Sequence, residues 1–318
     1  MTRGGSVSHF LGRYRLDRYR LGCGGMGEVW GAADLTLGRR VAIKFVLLPD
    51  VELHQRFTRE AKALSSLAHP GVPALYDFGF ADGRHYMIMQ FIEGIGLHDV
   101  IAEHAPLSVG WVASIGAQIA AILEAAHRQR ILHRDLKPAN LMLCRDGSVR
   151  VLDFGLAFMH DVGMITLTQT GQQLGTAAYM SPEQVKGERS TEHADIYSLG
   201  CVLYETATRH PLFTGPNDHS VKTQHVTTTP VPAAQHRPDI PSGLNELLMA
   251  MVEKDPVDRP DNVREVYERL MPYLSGAEPL GDMTDRLPSP LLLYSRALSR
   301  ATITGPAAES RSAWGDFR

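Results

Sequence analysis

The stretch Ile131-Leu-His133-Arg134-Asp135-Leu-Lys137-Pro-Ala-Asn140, followed by an apolar hairpin and then Asp153-Phe154-Gly155, decides how this chain is read. Asp135 and Asn140 are five residues apart, and Asp153 lies thirteen beyond Asn140. Between them, Leu141-Met-Leu-Cys144 and Val149-Arg-Val-Leu152 alternate around an Asp146-Gly147 turn, a strong hairpin signal. A hairpin returns its second strand beside its first, which brings Asp153 close to Asn140 and Asp135. Asn140 and Asp153 then offer the hard oxygen donors that a divalent cation such as Mg²⁺ takes. Asp135 is left to accept a proton from a hydroxyl nucleophile. One aspartate in a loop is commonly a turn former or a helix cap, and Asp-Phe-Gly alone carries little weight. The joint spacing is what is specific.

Composition bounds the rest. A chain of 318 residues holds one or two domains with a sizeable core. A net charge of -3 leaves no electrostatic footprint for nucleic acid or an anionic membrane surface. Cys23, Cys144 and Cys201 are far apart and form no metal-ligand spacing, which fits a reducing cytoplasm. The N-terminus has no apolar core for a signal peptide, and no stretch approaches eighteen uncharged apolar residues, so no membrane span is expected. The most apolar segment, Val112 to Ala126, is interrupted by Gln118 and Glu124 at helical spacing and reads as a buried helix.

Residues 1–13 read as a flexible leader. A strand from Tyr14 runs into Gly22-Cys-Gly24-Gly25-Met-Gly27-Glu-Val29. The Gly-x-Gly-x-x-Gly spacing is shared with dinucleotide folds, but those need a helix directly after the third glycine and an acidic residue about twenty positions on. Here the chain continues as strand, and the candidate positions, Leu47 and Leu48, are apolar. The glycines therefore read as a hairpin turn that lies close over phosphates. Val41-Ala42-Ile43-Lys44-Phe45-Val46 places a lysine inside an apolar strand, where it needs an anion. A helix from about Glu52 to Leu67 puts Leu53, Phe57, Ala61, Leu64 and Ala68 on one face. Glu60 points inward with them, toward an ion pair with Lys44, or else pairs at the helix surface with Arg56 or Lys62.

Ile92-Glu-Gly94-Ile-Gly96 punctuates the chain, mostly strand before it and mostly helix after it. Helices are expected at about Leu97–His104 and Ser108–Arg130, ahead of the hairpin. After Gly155 a polar stretch with Thr166, Thr168 and Thr170 lacks hydrophobic periodicity and reads as mobile. Gly175-Thr176-Ala-Ala-Tyr179-Met-Ser181-Pro182-Glu183 ends it, and Asp195 to Gly200 opens a buried helix. From residue 276 to 318 the pattern dissolves into Pro, Gly, Ser and Arg around a small apolar cluster at Leu291–Tyr294, a flexible tail by composition.

From about Tyr14 to Leu274 the chain resembles the bacterial, Hanks-type serine/threonine protein kinases. The resemblance rests on Gly-Gly-Met-Gly-Glu-Val, Asp-Leu-Lys137-Pro-Ala-Asn140, Asp153-Phe-Gly and Gly-Thr176-Ala-Ala-Tyr-Met-Ser-Pro-Glu183. It implies an α+β bilobal fold: a small, mainly antiparallel β N-lobe with one key helix (14–91), a hinge (about 90–96) and a larger, mainly α C-lobe (97–275). It implies transfer of the γ-phosphate of Mg-ATP, with Mn²⁺ as a substitute metal, to Ser/Thr hydroxyls of proteins. On it, Lys44 contacts the ATP phosphates and Glu60 orients it; Asp135 positions the substrate hydroxyl and Lys137 neutralises the γ-phosphate. Asn140 and Asp153 hold the metal, with Gly22, Gly24, Gly25 and Gly27 over the phosphates. Leu21, Val29, Ala42, Met142 and Leu152 sandwich the adenine, with Met89 as gatekeeper and Gln90 to Ile92 lending backbone groups. Glu183 and Arg259 form a buried ion pair at the end of the activation segment, near Thr176.

Gln90 stands where an acidic residue is common and Ser181 where alanine is usual, with little consequence for either role. A pseudokinase scaffold is the alternative reading, but such proteins usually lose the counterparts of Lys44, Asp135 or Asp153. Small-molecule kinases lack the Gly-Thr-x-x-Tyr-x-Ser-Pro-Glu segment that receives an extended peptide. Arg134 beside Asp135 wants an anion, which phosphate on Thr168 or Thr170 supplies. That implies autophosphorylation in trans, through a homodimer. The tail is expected to be dispensable for catalysis, the competing idea being inhibition by Arg311–Arg318 folding back.

Overall fold

The computed structural model describes residues 9–24, 27–46, 51–154 and 177–274. Its N-terminal part is a six-stranded antiparallel sheet, order β1-β2-β3-β4-β6-β5. The strands are β1 His9–Phe10, β2 Tyr14–Gly24, β3 Gly27–Asp34, β4 Arg39–Val46, β5 Leu75–Ala81 and β6 Arg84–Gln90. Strand periodicity explains how it packs. On β4, Val41, Ile43 and Phe45 face a cluster with Phe10, Tyr14, Ala32, Tyr86 and Ile88. Val46 joins Met87 and, from helix α1 (Val51–Ser66), Phe57 and Ala61 in a second cluster. Ala68, expected on the same helix face, lies past the helix end and is exposed.

The fold begins earlier than Tyr14. His9 and Phe10 pair with Arg15 and Tyr14 as an added strand and residues 11–13 form the turn between, so residues 9–13, expected in the leader, belong to the folded part. The reason is Phe10, only 3% exposed, whose ring meets Phe45 and Tyr86 edge-on at 4.8 and 5.1 Å. Burying such a ring is worth roughly 1.5–3 kcal/mol. Leu11 and Gly12 turn the chain with positive φ, and Arg13 closes it with a two-pronged bond to Asp34 at 2.8 and 2.7 Å. That guanidinium outweighs burial and lowers the Asp34 pKa to about 2.

Beyond β7 (Ile95–Gly96) the chain is mostly helical: α2 Leu97–His104, α3 Val109–His127, α4 Pro182–Lys186, α5 Glu192–Thr208, α6 Asp218–Thr227, α7 Ala233–His236, α8 Ser242–Met251 and α9 Val263–Leu270. A small sheet, β7-β8-β9, adds β8 Leu141–Leu143 and β9 Val149–Val151. Ser108 caps α3 by accepting the Trp111 N–H. By length and composition α3 can cross a bilayer, contrary to the expectation that no stretch comes near this. Two thirds of its apolar window is buried in the lobe, against α5 and α9. Its apolarity is accounted for by that central position.

Candidate active site

The β8–β9 hairpin forms as its sequence directs. Leu141 pairs with Val151 and Leu143 with Val149, and Gly147 takes the positive φ of 78° that the turn needs. The Leu152 N–H donates to the Asn140 carbonyl at 2.8 Å, which fixes Asp153 beside the Asn140 loop. Asn140 Nδ2 donates to the Asp135 carbonyl at 2.8 Å and to Asp135 Oδ2 at 3.1 Å. Lys137 Nζ also meets Asp135 Oδ2, at 2.9 Å. Two donors on one oxygen leave Asp135 Oδ1 as the oxygen for an incoming hydroxyl. With Nδ2 turned to Asp135, the amide oxygen of Asn140 is the atom offered to a cation.

Lys44 is buried at 4% exposure, and its Nζ lies 2.8 Å from Asp153 Oδ1. The partner that the structure gives Lys44 is therefore Asp153, where Glu60 was expected. Glu60 itself is half-buried on α1, one turn before Leu64. Burial works against a charged Asp153, but Lys44, supported by His133 and Lys137, outweighs it and lowers its pKa. Lys44 and Asp153 also line a cavity of about 20 Å³ with Leu64, Val72, Met87, Met89, Val151 and Phe154.

The nucleotide side of the cleft is assembled by register. Val29 pairs with Lys44, Ala42 with Met89, Gly22 with Val29 and Gly24 with Gly27. Gly96 pairs with Met142, which is half-buried between the buried Leu141 and Leu143 and so faces the opposite side from them. Leu152 and Ile92 are half-buried and Leu21 is exposed. A Cβ on Gly27 would stand 1.9 Å from the Phe45 carbonyl oxygen, so the turn there needs glycine. The Gln90 N–H bonds the Ala74 carbonyl at 2.8 Å, joining the end of β6 to the chain just before β5. Gly25, Gly155, Thr168, Thr170 and Thr176 lie outside the described residues, as does the segment 275–318.

Several positioning residues were not singled out from the sequence. Asp195, fully buried near the start of α5, receives the N–H groups of His133 at 2.9 Å and Arg134 at 2.8 Å. His127 Nε2 reaches the same carboxylate at 2.8 Å. Burial opposes the Asp195 charge, yet these partners, His127 first, hold its pKa below the usual range. His133 Nε2 meets the Leu152 carbonyl at 2.9 Å, and its Nδ1 accepts the Asp135 N–H at 3.3 Å. Its ring packs edge-on against Phe154 at 4.7 Å. Gln118 braces the hairpin by bonding the Gly147 carbonyl and the Val149 N–H. Gln184 donates to the Arg134 carbonyl at 2.7 Å, tying α4 to the catalytic loop. A polar residue in an apolar run, the signal that marks Lys44, also marks Gln118.

Glu183 and Arg259 meet in a bidentate buried pair at 2.8 and 2.9 Å. Arg259 also donates to the carbonyls of Glu253, His193 and Lys254. Nearby, Tyr179 Oη donates to Glu205 Oε2 at 2.6 Å, and Ser198 Oγ holds the Tyr179 carbonyl.

A β-rich lobe joined to a helical lobe, with this loop and hairpin between them, defines a protein kinase. The chain matches the protein kinase domain over residues 16–270 and belongs to that family. It is 37% identical over 265 residues to the probable serine/threonine-protein kinase CE0033 of Corynebacterium efficiens, covering 79% of this chain and 40% of that protein. It is 36% identical over 279 residues to the serine/threonine-protein kinase PknB of Mycobacterium tuberculosis, covering 86% and 44%. With the probable serine/threonine-protein kinase SCO3848 of Streptomyces coelicolor the identity is 40% over 278 residues, covering 85% and 41%. The match thus spans less than half the length of these bacterial relatives. Among solved structures, the crystal structure of Rad53 1–466 in complex with AMP-PNP matches with a TM-score of 0.69 at 25% identity, covering 82% of this chain and 65% of that one.

Proposed function

We propose that this chain transfers the γ-phosphate of ATP to serine and threonine hydroxyls of other proteins. The observation that carries the reading is the convergence of Asp135, Lys137 and Asn140 on one loop, with Lys44 and Asp153 paired beside them. Asp135 Oδ1 accepts the hydrogen bond of the acceptor hydroxyl and takes its proton as the new P–O bond forms, while the bond from the γ-phosphorus to the β,γ-bridging oxygen breaks and ADP leaves with that electron pair. Lys137, held 2.9 Å from Asp135, places a positive charge where the attacking oxygen and the transferred phosphoryl group meet. Lys44 sits between the roof of the cleft and Asp153, and its charge fixes the phosphates of the nucleotide.

The oxygens of Asn140 and Asp153 fit Mg²⁺, or Mn²⁺, both hard cations that prefer oxygen donors. Such an ion would be held by these two residues and would neutralise charge on the phosphates. Glu183 with Arg259, and Tyr179 with Glu205, anchor the segment after residues 155–176, where an extended peptide is expected to lie. Phosphate on Thr168 or Thr170, added in trans by a second copy, would bring a strong anion to the catalytic loop at Arg134 and order that segment.

The test is transfer of labelled phosphate from ATP to a basic protein such as myelin basic protein, with Asp135→Asn beside it. Labelled phosphoserine or phosphothreonine that disappears in the variant supports the reading. Equal labelling by the variant, or none by the wild-type protein, overturns it. Mass spectrometry of the same samples checks Thr168 and Thr170.

A further inference from the structure

Helices α3 and α9 pack side by side, yet they leave an open groove of about 390 Å³ between them that the phosphotransfer site does not use. Ala120, Ala121 and Ala125 of α3 lie along it, with Tyr267 of α9. These positions fall at helical spacing on the two facing surfaces. Its charged rim is asymmetric. Arg128 and Arg264 both bind Glu124, at 3.0 and 2.7 Å, which leaves the exposed Glu268 a longer-range attraction to Arg264 in place of a direct ion pair. A cleft of this volume is in the range that binds several apolar side chains.

The chain beyond α9 suits that space. It leaves the helix through a short turn, Met271–Tyr273, and Tyr273 and Leu274 pack against the C-lobe core. Seven residues separate Tyr267 from Leu274, at most about 10 Å of helical rise, so the segment beginning at 275 starts next to the groove. Further along stands Ser289-Pro290-Leu291-Leu292-Leu293-Tyr294-Ser295-Arg296-Ala297-Leu298-Ser299-Arg300. Serine followed by proline is a strong helix-start pair, and arginines at the far end complement a helix C-terminus. Leu291, Tyr294 and Leu298 then share one face at i, i+3 and i+7. Residues 286–300 carry three arginines and no acidic residue, opposite in charge to Glu268. The fifteen intervening residues, 275–289, reach roughly 50 Å when extended, and a tether of that length gives a local concentration near the millimolar range.

We propose that the segment 290–298 docks in cis into the α3–α9 groove, with Leu291, Tyr294 and Leu298 on the alanine floor beside Tyr267. The occupant is this chain's own segment, because the exit point, the reach and the charge all agree. No groove residue belongs to the phosphotransfer site, so docking is read out directly and not through activity.

Hydrogen–deuterium exchange of the full 318-residue chain tests it. Amides of 291–298 are expected to exchange at least ~10-fold more slowly than in a synthetic peptide of the same sequence. Leu291→Asp with Tyr294→Asp, in the segment itself, should restore the free-peptide rate. Ala121→Arg, which fills the groove, should do the same, and Glu268→Arg should restore it in part. Unchanged exchange in α5 shows that each variant remains folded; should Ala121→Arg fail that control, the exposed Glu268→Arg carries the groove arm. Free-peptide exchange in the wild-type chain would overturn the proposal, as would protection that survives the groove variants. Protection that fades on dilution would assign the occupant to a second copy and overturn docking in cis.

Discussion

Replacing Arg259 by methionine tests a buried ion pair of the C-lobe. Arg259 is 3% exposed, and it satisfies both Glu183 oxygens as well as three main-chain carbonyls. Its removal leaves a carboxylate buried without its cation, which costs about 3–5 kcal/mol. Glu183→Gln is the milder cut, because the arginine keeps its three carbonyls and one amide oxygen. That loss should be about 1–3 kcal/mol. For a domain of this size each kcal/mol lowers Tm by roughly 2–4 °C, so Arg259→Met should melt about 6–20 °C below the wild-type chain. Thermal and urea unfolding of both variants and of Glu183→Gln/Arg259→Met give the cycle. The double variant should lose less than the sum of the singles, since no carboxylate is then stranded. Equal losses in the two single variants, or a loss under about 1 kcal/mol for Arg259→Met, would refute this account of the pair.

Asp153→Asn should lower phosphate transfer at least ~100-fold, and it should also lower Tm, because the buried Lys44 loses its anion; steady-state assays over a range of Mg²⁺ check the first and thermal unfolding the second. Asp195→Asn touches neither nucleotide nor acceptor, but it weakens charge-assisted bonds to the His133 and Arg134 N–H groups. The expected fall in kcat is about 10- to 1000-fold, with KM for ATP little changed. Acid should unfold the protein partly through Glu183 and Asp195, whose folded pKa values lie below their unfolded ones. At Glu183 burial works the other way and is outweighed by Arg259. Their contribution is complete above the unfolded values near 4 and is lost as pH falls through the lower folded ones. Glu183→Gln should therefore unfold with a flatter pH dependence below about pH 4, as followed by circular dichroism.

Local chemistry made much of the site legible in the sequence. The Asp146-Gly147 turn with alternating strands specified the hairpin, and the hairpin specified that Asp153 returns to Asn140. Lysine in an apolar strand specified that Lys44 needs an anion, but not which one. Glu60 on α1 and Asp153 after the hairpin are both carboxylates, and which of them Lys44 meets depends on how α1 seats against the sheet. That is a tertiary variable with no local code. Phe10 escaped for the opposite reason. Two residues of strand ahead of Leu11-Gly12 are too short a run to show periodicity, and their order comes from an aromatic contact with Phe45 and Tyr86. Gln118 and Glu124 gave α3 the look of an amphipathic helix. In the fold Gln118 braces the hairpin, whereas Glu124 faces the α9 arginine.

The backbone at the catalytic loop shows why Asp195 had to be found in three dimensions. Arg134 and Asp153 both take positive φ, 61° and 59°, although neither is glycine. Such a conformation costs of order 1–3 kcal/mol per residue and persists only where neighbours over-determine it. Arg134 is held on both sides of its backbone: its N–H bonds Asp195 at 2.8 Å and its carbonyl accepts Gln184 Nε2 at 2.7 Å. Asp153 is held by Lys44 at its side chain and by the Leu152 bonds just before it. Strain at the two turns therefore aims Asp135 and Asp153 at the same space, and the restraint is supplied from α5, α4 and β4. Residues 50 to 61 positions away along the chain fix the loop, so a motif that is local in sequence owes its geometry to distant partners.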